Sequence, residues 1–385
     1  MAVANKIKEQ SMELRNVSLT PHEIVAFLDS AIDANQPVFT WGPPGVAKSA
    51  LMRKVANKRN MDLYDFRALM HDPVDLSGIP TTSPDGKHTI WLRPSFLPEL
   101  TDNNKDERGI FFIDELNAAS PSMQALCYQV VHDRRAGEHL LHPGWIPMAA
   151  GNYDTDGAVT NKMPTPLKSR FIHLNIGLEP PDANTGVRRL VNQGKWNDEW
   201  IEWGLSEGKI HPLVIAYHRF TGGSDLYAFS KTSQTFPCLR TWEFVSNVLK
   251  TKPSSNLLFP LLAGCINEGY AAKMYAFVQD SLLLPDLDEL LKNPEKTPLP
   301  KNGQQRYALV TALSAKLVNM EGKEFQKAFS QALIFVERLE GDMQILSMKD
   351  VFYSVRKNDV GKNSDFRRWA CGPVGAALGL VNKLD

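Results

Sequence analysis

Two stretches of this chain have the residue types and spacing to handle a polyphosphate. The first is Gly42-Pro43-Pro44-Gly45-Val46-Ala47-Lys48-Ser49-Ala50. Its glycines let backbone N–H groups close on an anion, and the helix that follows adds partial positive charge at its N-terminus. Lys48 reaches β- and γ-phosphates, and Ser49 offers a hydroxyl to Mg²⁺. A Gly usually stands immediately before the Lys; here Ala47 does, so the loop must tolerate a Cβ there. Taken alone, the stretch also reads as a Gly/Pro turn followed by a surface Lys. The second stretch, Gly109-Ile-Phe-Phe-Ile-Asp-Glu-Leu-Asn117, weighs against that plain reading. Its four apolar residues form a buried strand whose carboxyl end delivers Asp114 and Glu115, and ligands of open α/β sheets sit at that end. Asp114 would hold the Mg²⁺ shell and Glu115 would polarise an attacking water. Burying unpaired carboxylates is costly, so a buried strand ending in two acids has few purely structural uses.

Three further polar residues fall where they can serve the same chemistry. Asn152 ends the strand Trp145 to Ala150 after Gly151. An amide there orients a water and the γ-phosphate without adding charge, although a lone Asn at a strand tip also makes turns. Arg170 directly precedes the strand Phe171 to Leu174, where a surface cation is common, but its spacing after Asn152 suggests a guanidinium aimed at a neighbouring subunit's nucleotide. Arg240 lies in the first turn of a helix opening at Phe236. A helix dipole disfavours a cation there unless an anion is near.

The elements that must position these groups are legible around them. Val38 to Trp41 reads as the strand before the phosphate loop, and Leu51, Met52, Val55 and Ala56 as the inner face of the helix after it. Thr20, Pro21 and Glu23 spell a capping box for a helix running to Asp33. Asp62 to Phe66 is a second strand. Asp85-Gly86 turns one hairpin, ending in His88 to Leu92, and Asp133 to Gly144 forms another. Ser120 and Pro121 start a helix with Met123, Leu126, Cys127, Val130 and Val131 inward. Pro164 to Arg170 is a short helical piece, and His173 is expected to be a core histidine. From Pro180-Pro181 onward the chain reads helical. Segments at Asp198 to Leu205 and Pro212 to Tyr217 come first, and a helix with Phe244, Val245, Val248 and Leu249 inward follows. Tyr275 to Leu283 and Tyr307 to Val318 come last, separated by a Pro-rich connector from Asn293 to Pro300.

Composition narrows the class. The 385 residues are enough for two or three compact domains, and 43 basic side chains balance 43 acidic ones, so no net field advertises nucleic acid or an anionic membrane. The four cysteines, Cys127, Cys238, Cys265 and Cys371, have neither zinc nor disulfide spacing and are expected to be reduced core thiols. With no apolar leader or membrane-length segment, a cytoplasmic protein is expected.

Together these motifs resemble AAA+ ATPases of the MoxR type, in the helix-2-insert clade. Gly42 to Ser49 resembles that family's phosphate loop, in which Ala before the Lys is a familiar variant. Ile113 to Asn117 is similar to its Walker B, with Ala118 where Arg often follows, and Ala149 to Asn152 to its sensor 1. Leu167 to Phe171 resembles its arginine-finger segment and Leu239 to Glu243 its sensor 2. The resemblance covers about residues 20 to 250, and the long tail is similar to phage and prophage forms. It implies an α/β AAA+ P-loop core with a parallel five-stranded sheet, an all-α lid and a helical C-terminal extension. The expected boundaries are 1–19 for an N-terminal arm, 20–180 for the core, 181–268 for the lid and 269–385 for the extension. It also implies ATP and Mg²⁺ as ligands and a homo-oligomeric ring, expected to be a hexamer. Catalysis would fall to Glu115, Asn152, Arg170 and Arg240, with Arg240 acting on its own or a neighbour's nucleotide. Asp75 to Trp91 and Ala136 to Trp145 would be hairpins directed at the ring axis. Relatives remodel protein clients, often with a von Willebrand factor A (VWA) domain partner. No membrane partner is expected and nucleic acid is not indicated. The alternative is a helicase- or translocase-like nucleic-acid motor, with Lys87, His88, Arg93, Arg134 and Arg135 as modest basic groups on the hairpins. The phosphate loop itself does not distinguish ATP from GTP.

Overall fold

The computed structural model describes residues 19–154, 161–353 and 357–376, which fall into two compact units, Met1–Asn192 and Gln193–Asp385. The N-terminal arm expected over 1–19 lies outside the described residues except for Leu19.

The first unit begins with α1 (Pro21–Asp33), whose capping box forms as expected. Thr20 N–H donates to Glu23 Oε2 at 2.8 Å and Glu23 N–H to Thr20 Oγ1 at 3.4 Å. Next come β1 (Val38–Trp41), α2 (Lys48–Lys58) and β2 (Asp62–Arg67). A short α3 (Pro73–Ser77) leads into the hairpin β3 (Ile79–Thr82) and β4 (Thr89–Leu92). The chain then runs through β5 (Gly109–Asp114), α4 (Pro121–His132) and a second hairpin of β6 (Arg135–Ala136) and β7 (His139–Leu140). It ends in β8 (Trp145–Gly151), α5 (Thr165–Lys168) and β9 (Ile172–Asn175).

Five of these strands form one parallel sheet in the order β2-β5-β8-β1-β9. β5 and β8 are covered on both faces, which is why they read as unbroken apolar runs rather than alternating ones. One face carries Phe39, Phe111, Ile113 and Ala149, which pack in one cluster with Met123, Cys127 and Val130 of α4. α2 buries Leu51, Met52, Val55 and Ala56. β9, at the sheet's edge, has only β1 as a neighbour, so His173 is exposed rather than a core residue. Both of its ring nitrogens are nonetheless engaged, Nδ1 accepting from Trp41 Nε1 at 2.9 Å and Nε2 lying 2.8 Å from the Lys168 carbonyl.

The second unit is helical: α6 (Gln193–Ser206), α7 (Pro212–Phe220), α8 (Leu239–Lys250), α9 (Ser255–Ile266), α10 (Glu268–Ser281), α11 (Leu287–Lys292), α12 (Gly303–Val318), α13 (Gly322–Val336), α14 (Gly341–Tyr353), α15 (Lys357–Gly361), α16 (Ser364–Ala370) and α17 (Pro373–Ala376). Trp196, Trp200, Tyr217, Trp242 and Phe277 are buried toward its start. A later cluster gathers Leu309, Leu313, Phe325, Phe329, Phe366 and Trp369. Arg219 of α7 forms a buried ion pair with Asp350 of α14 and donates to Thr311 of α12 at 3.1 Å, tying the start of the unit to its end. Phe244 is 48% exposed, against expectation. The inward stripe of α8 instead runs through Leu239, Trp242, Val245, Ser246 and Leu249, a phase that leaves residue 244 outside. Cys371, at the end of α16, is likewise exposed, not a core thiol. The Pro-rich connector is pinned, because the Arg338 guanidinium bonds the carbonyls of Pro294 and Thr297.

Candidate active site

Parallel pairing sets the carboxyl ends of β1, β5 and β8 side by side, with Trp41 opposite Gly151 and Ile113 opposite Ala149. Every motif that follows one of these strands therefore emerges at one edge. The phosphate loop turns there through Gly45 at φ 75° and Ala47 at φ 67°. Ala47 thus takes the left-handed conformation that a glycine would adopt without strain, at a cost of about 1–3 kcal/mol. Gly42 is packed so closely that a Cβ would meet Ile176 Cβ at 3.1 Å and Val46 at 3.2 Å. Val46 is buried, anchoring the loop, while Ala50 is exposed on the first turn of α2. No side chain caps that helix, leaving its positive end to face the loop.

Lys48 is held across the loop. Its Nζ donates to Gly42 O at 2.8 Å, Pro43 O at 3.1 Å and Asn152 Oδ1 at 2.8 Å. The ammonium that should meet phosphate and the amide that should read it are thus already in contact. Ser49 Oγ donates to Asp114 Oδ2 at 2.7 Å, and Asp114 Oδ1 accepts Glu115 N–H at 2.9 Å. Glu115 takes φ 55° and ψ 30°, a second left-handed non-glycine residue, and this sharp turn ends the strand before a 3₁₀ turn at Leu116–Ala118. Hydroxyl and carboxylate together make an oxygen donor pair suited to Mg²⁺, which is held by one or two protein oxygens plus phosphate and water. No group of three or more His, Cys, Asp or Glu side chains able to hold a metal occurs among the described residues, in keeping with so sparse a site. On the neighbouring strand, burial and then the Asp114 charge raise the Asp65 carboxyl above its ordinary value, against the opposing pull of Arg67 and Arg53.

Arg170 is not brought to this edge. It precedes Ile172, which pairs with Val38 at the amino end of β1, whereas the loop follows Trp41 about 10 Å further along the strand. Its guanidinium is exposed, 3.5 Å from the Tyr128 hydroxyl and 5.8 Å from that ring's centre. Arg240 is exposed on the first turn of α8 in the second unit. Burial raises the Glu243 carboxyl one turn on, with Arg240 acting in the opposite direction.

Two features went unassigned in the sequence. Asn117 is 2% exposed and donates through Nδ2 to Asn152 O at 2.8 Å. The Gly before Asn152 was its signal, since a Cβ on Gly151 would lie 2.1 Å from Asn117 Oδ1. Trp41, directly before the loop, lies nearly parallel to Tyr153 with ring centres 6.1 Å apart and meets His173 at its edge through the 2.9 Å hydrogen bond. Its signal was only an aromatic at each strand end.

The five-stranded parallel sheet, the glycine-containing loop after its first strand and the helical C-terminal part define the class: an α/β fold with a helical C-terminal unit, consistent with an AAA+ core. No protein-family model matches the chain. One curated relative, the Holliday junction branch migration complex subunit RuvB of Mycoplasma pneumoniae, is 27% identical over 162 residues. That match spans 40% of this chain and 45% of the relative, less than half the length of either. Among solved structures, a mutant of Thermotoga maritima RuvB is similar with TM-score 0.37 and 17% identity, over 79% of this chain and 84% of that one. NtrX of Brucella abortus in complex with ADP is similar with TM-score 0.36 and 12% identity, over 99% of this chain and 72% of that one. No helix among the described residues is long and apolar enough to cross a membrane.

Proposed function

We propose that this chain is a MoxR-type AAA+ ATPase subunit that hydrolyses ATP at the boundaries of a cytoplasmic homo-oligomeric ring, a hexamer, and remodels a protein client together with a VWA-domain partner. The observation that carries the reading is the joining of Lys48 to Asn152 and of Ser49 to Asp114 at one sheet edge, with Glu115 next in the chain. Gly42 to Ala50 and Lys48 bind the polyphosphate. Ser49 and Asp114 would hold Mg²⁺, which would supply positive charge to offset that of the polyphosphate. Glu115 takes the proton of the attacking water and Asn152 fixes that water in line, so the protein's work is positioning and charge stabilisation. Arg170 serves a neighbour's site, a role that its place at the other end of the sheet supports. Arg240 acts as a phosphate-facing cation on its own or a neighbour's nucleotide. The hairpin β3–β4 exposes Ile79, Ile90, Trp91 and Leu92, an apolar surface better matched to a protein client than to a phosphate backbone.

The likeness to RuvB, whose name assigns it to Holliday junction branch migration, favours a second reading as a nucleic-acid motor. ATPase activity stimulated by DNA, with binding that weakens steeply as salt rises, would support that alternative. The hydrolysis reading is tested by Glu115→Gln. ATP affinity should be unchanged while turnover falls by about a hundredfold or more. Turnover that survives the substitution would remove this reading.

A further inference from the structure

We infer that Asn117 is a positioning residue that fixes Asn152 against the Glu115 turn, so that the water-activating acid and the γ-phosphate-reading amide are set as one unit. The inference rests on the ATPase reading of the site and goes beyond it by assigning a residue that acts through its contact to Asn152.

Because Glu115 is left-handed, the chain doubles back after β5, and the 3₁₀ turn carries Asn117 across to the end of the adjacent strand β8. There its amide nitrogen donates to Asn152 O at 2.8 Å. That is the backbone of the residue whose side-chain oxygen receives Lys48 at 2.8 Å. The amide lies so flat over Gly151 that a Cβ there would meet its Oδ1 at 2.1 Å and its Cγ at 2.8 Å. Asn117 is itself clamped. Its carbonyl accepts Asn161 N–H at 2.7 Å, and the Asn161 side chain donates to Ala118 O at 3.2 Å and Ala119 O at 2.9 Å. A continuous path of hydrogen bonds and short backbone thus runs from Glu115 through Asn117 to Asn152 and Lys48. Nothing in the packing demands an amide at this buried position; the carbonyl of Asn152 does, since an unpaired acceptor there would be costly. Two residues acting on one water must be placed within a fraction of an ångström of each other, and this contact sets their separation.

The test is Asn117→Asp, which keeps the shape and removes the N–H donor, measured alone and in an Asn152→Ala background. Should the aspartate variant fail to fold, as judged by thermal unfolding, Asn117→Ala carries the same measurement. The expected result is a fall in kcat of about a hundredfold, with KM and affinity for a non-hydrolysable ATP analogue within about twofold of wild type. In the Asn152→Ala background no further loss should appear, because Asn117 acts through Asn152. Wild-type kcat in the Asn117 variant, when Asn152→Ala is impaired, would overturn this inference and leave the ATPase reading standing. Multiplying losses in the double variant would also overturn it. Full turnover in Asn152→Ala itself would instead remove the sensor assignment on which the inference rests.

Discussion

Lys48 is the residue on which the proposed nucleotide site hangs. An ammonium can be satisfied by three acceptors, and here the Gly42 and Pro43 carbonyls and the Asn152 amide oxygen all converge on it. These contacts aim the charge into the loop before any anion arrives, which lowers the ordering cost of binding. Lys48→Ala is therefore expected to weaken ATP affinity by about tenfold or more, since a charge-assisted contact contributes roughly 1.5–3 kcal/mol. Titration with a fluorescent ATP analogue measures it, and unchanged affinity would contradict the phosphate-loop assignment. Residue types are what pointed to the proposed site. Lys48, Ser49, Asp114, Glu115 and Asn152 all carry groups whose burial or spacing is hard to explain otherwise. Asn117 reads only as the last residue of the Walker-B-like stretch, because its contact is to a backbone carbonyl beyond another strand, which Gly151 hinted at only indirectly. Ala47 is marked by standing where Gly is usual, whereas Glu115 hides its left-handed backbone, since propensity argues against it there.

At the level of elements, the site is a product of strand ends meeting in register. Gly151 shows how tightly they meet. Gly151→Ala would drive a methyl to within 2.1 Å of Asn117 Oδ1 and 2.8 Å of Phe39 Cζ. The expected loss is about 1–3 kcal/mol, read from the urea midpoint. An unchanged midpoint would mean that the β5 turn yields easily. A second element-level consequence lies in α7, where His218 is fully buried among Trp200, Tyr217 and Trp242, with no hydrogen-bond partner for either ring nitrogen among the described residues. Burial lowers its pKa to about 3. The unfolded chain, titrating near 6.5, then binds a proton that the native state refuses. Stability of the helical unit should thus be pH-independent above about 7 and fall as pH drops through 6 toward 4, by at most about 1.4 kcal/mol per pH unit for this group. His211, lowered by burial to about 4, adds to the same trend, so His218→Phe should lessen but not abolish that slope in denaturation curves at pH 5 and pH 7; an unchanged slope would place the acid sensitivity elsewhere. Strands and helices of the first unit were legible because β5 and β8 are continuous apolar runs and α1 spells its own cap. Helix phase was less so. Phe244 and Val245 are adjacent apolar residues, and only packing of Trp242 decides which faces inward. His173 was misplaced because a sequence does not say which strand is at the edge.

For the whole molecule, the telling fact is that Arg170 and Lys48 belong to opposite ends of one sheet. A guanidinium placed there is at the other end of the strand from the phosphate loop of its own chain, so the role proposed for Arg170 requires a second copy. In GTPase precedents an arginine supplied by a neighbour contributes about 10³–10⁵ in rate. Arg170→Ala should accordingly leave ATP binding by single subunits intact while lowering assembled turnover by at least about a hundredfold. Undiminished turnover would make Arg170 a surface residue paired with Tyr128. Arg240 was legible only as a cation at a helix start, and the interaction the structure shows for it is with Glu243 one turn on. The measurement that tests the central claim most directly is the ATPase rate per subunit as a function of protein concentration, with mass determined on the same samples with and without ATP. Specific activity that rises as rings form, and that Arg170→Ala abolishes without preventing assembly, is the predicted result. Full activity in a monomer would contradict the shared active site while leaving the nucleotide pocket in place.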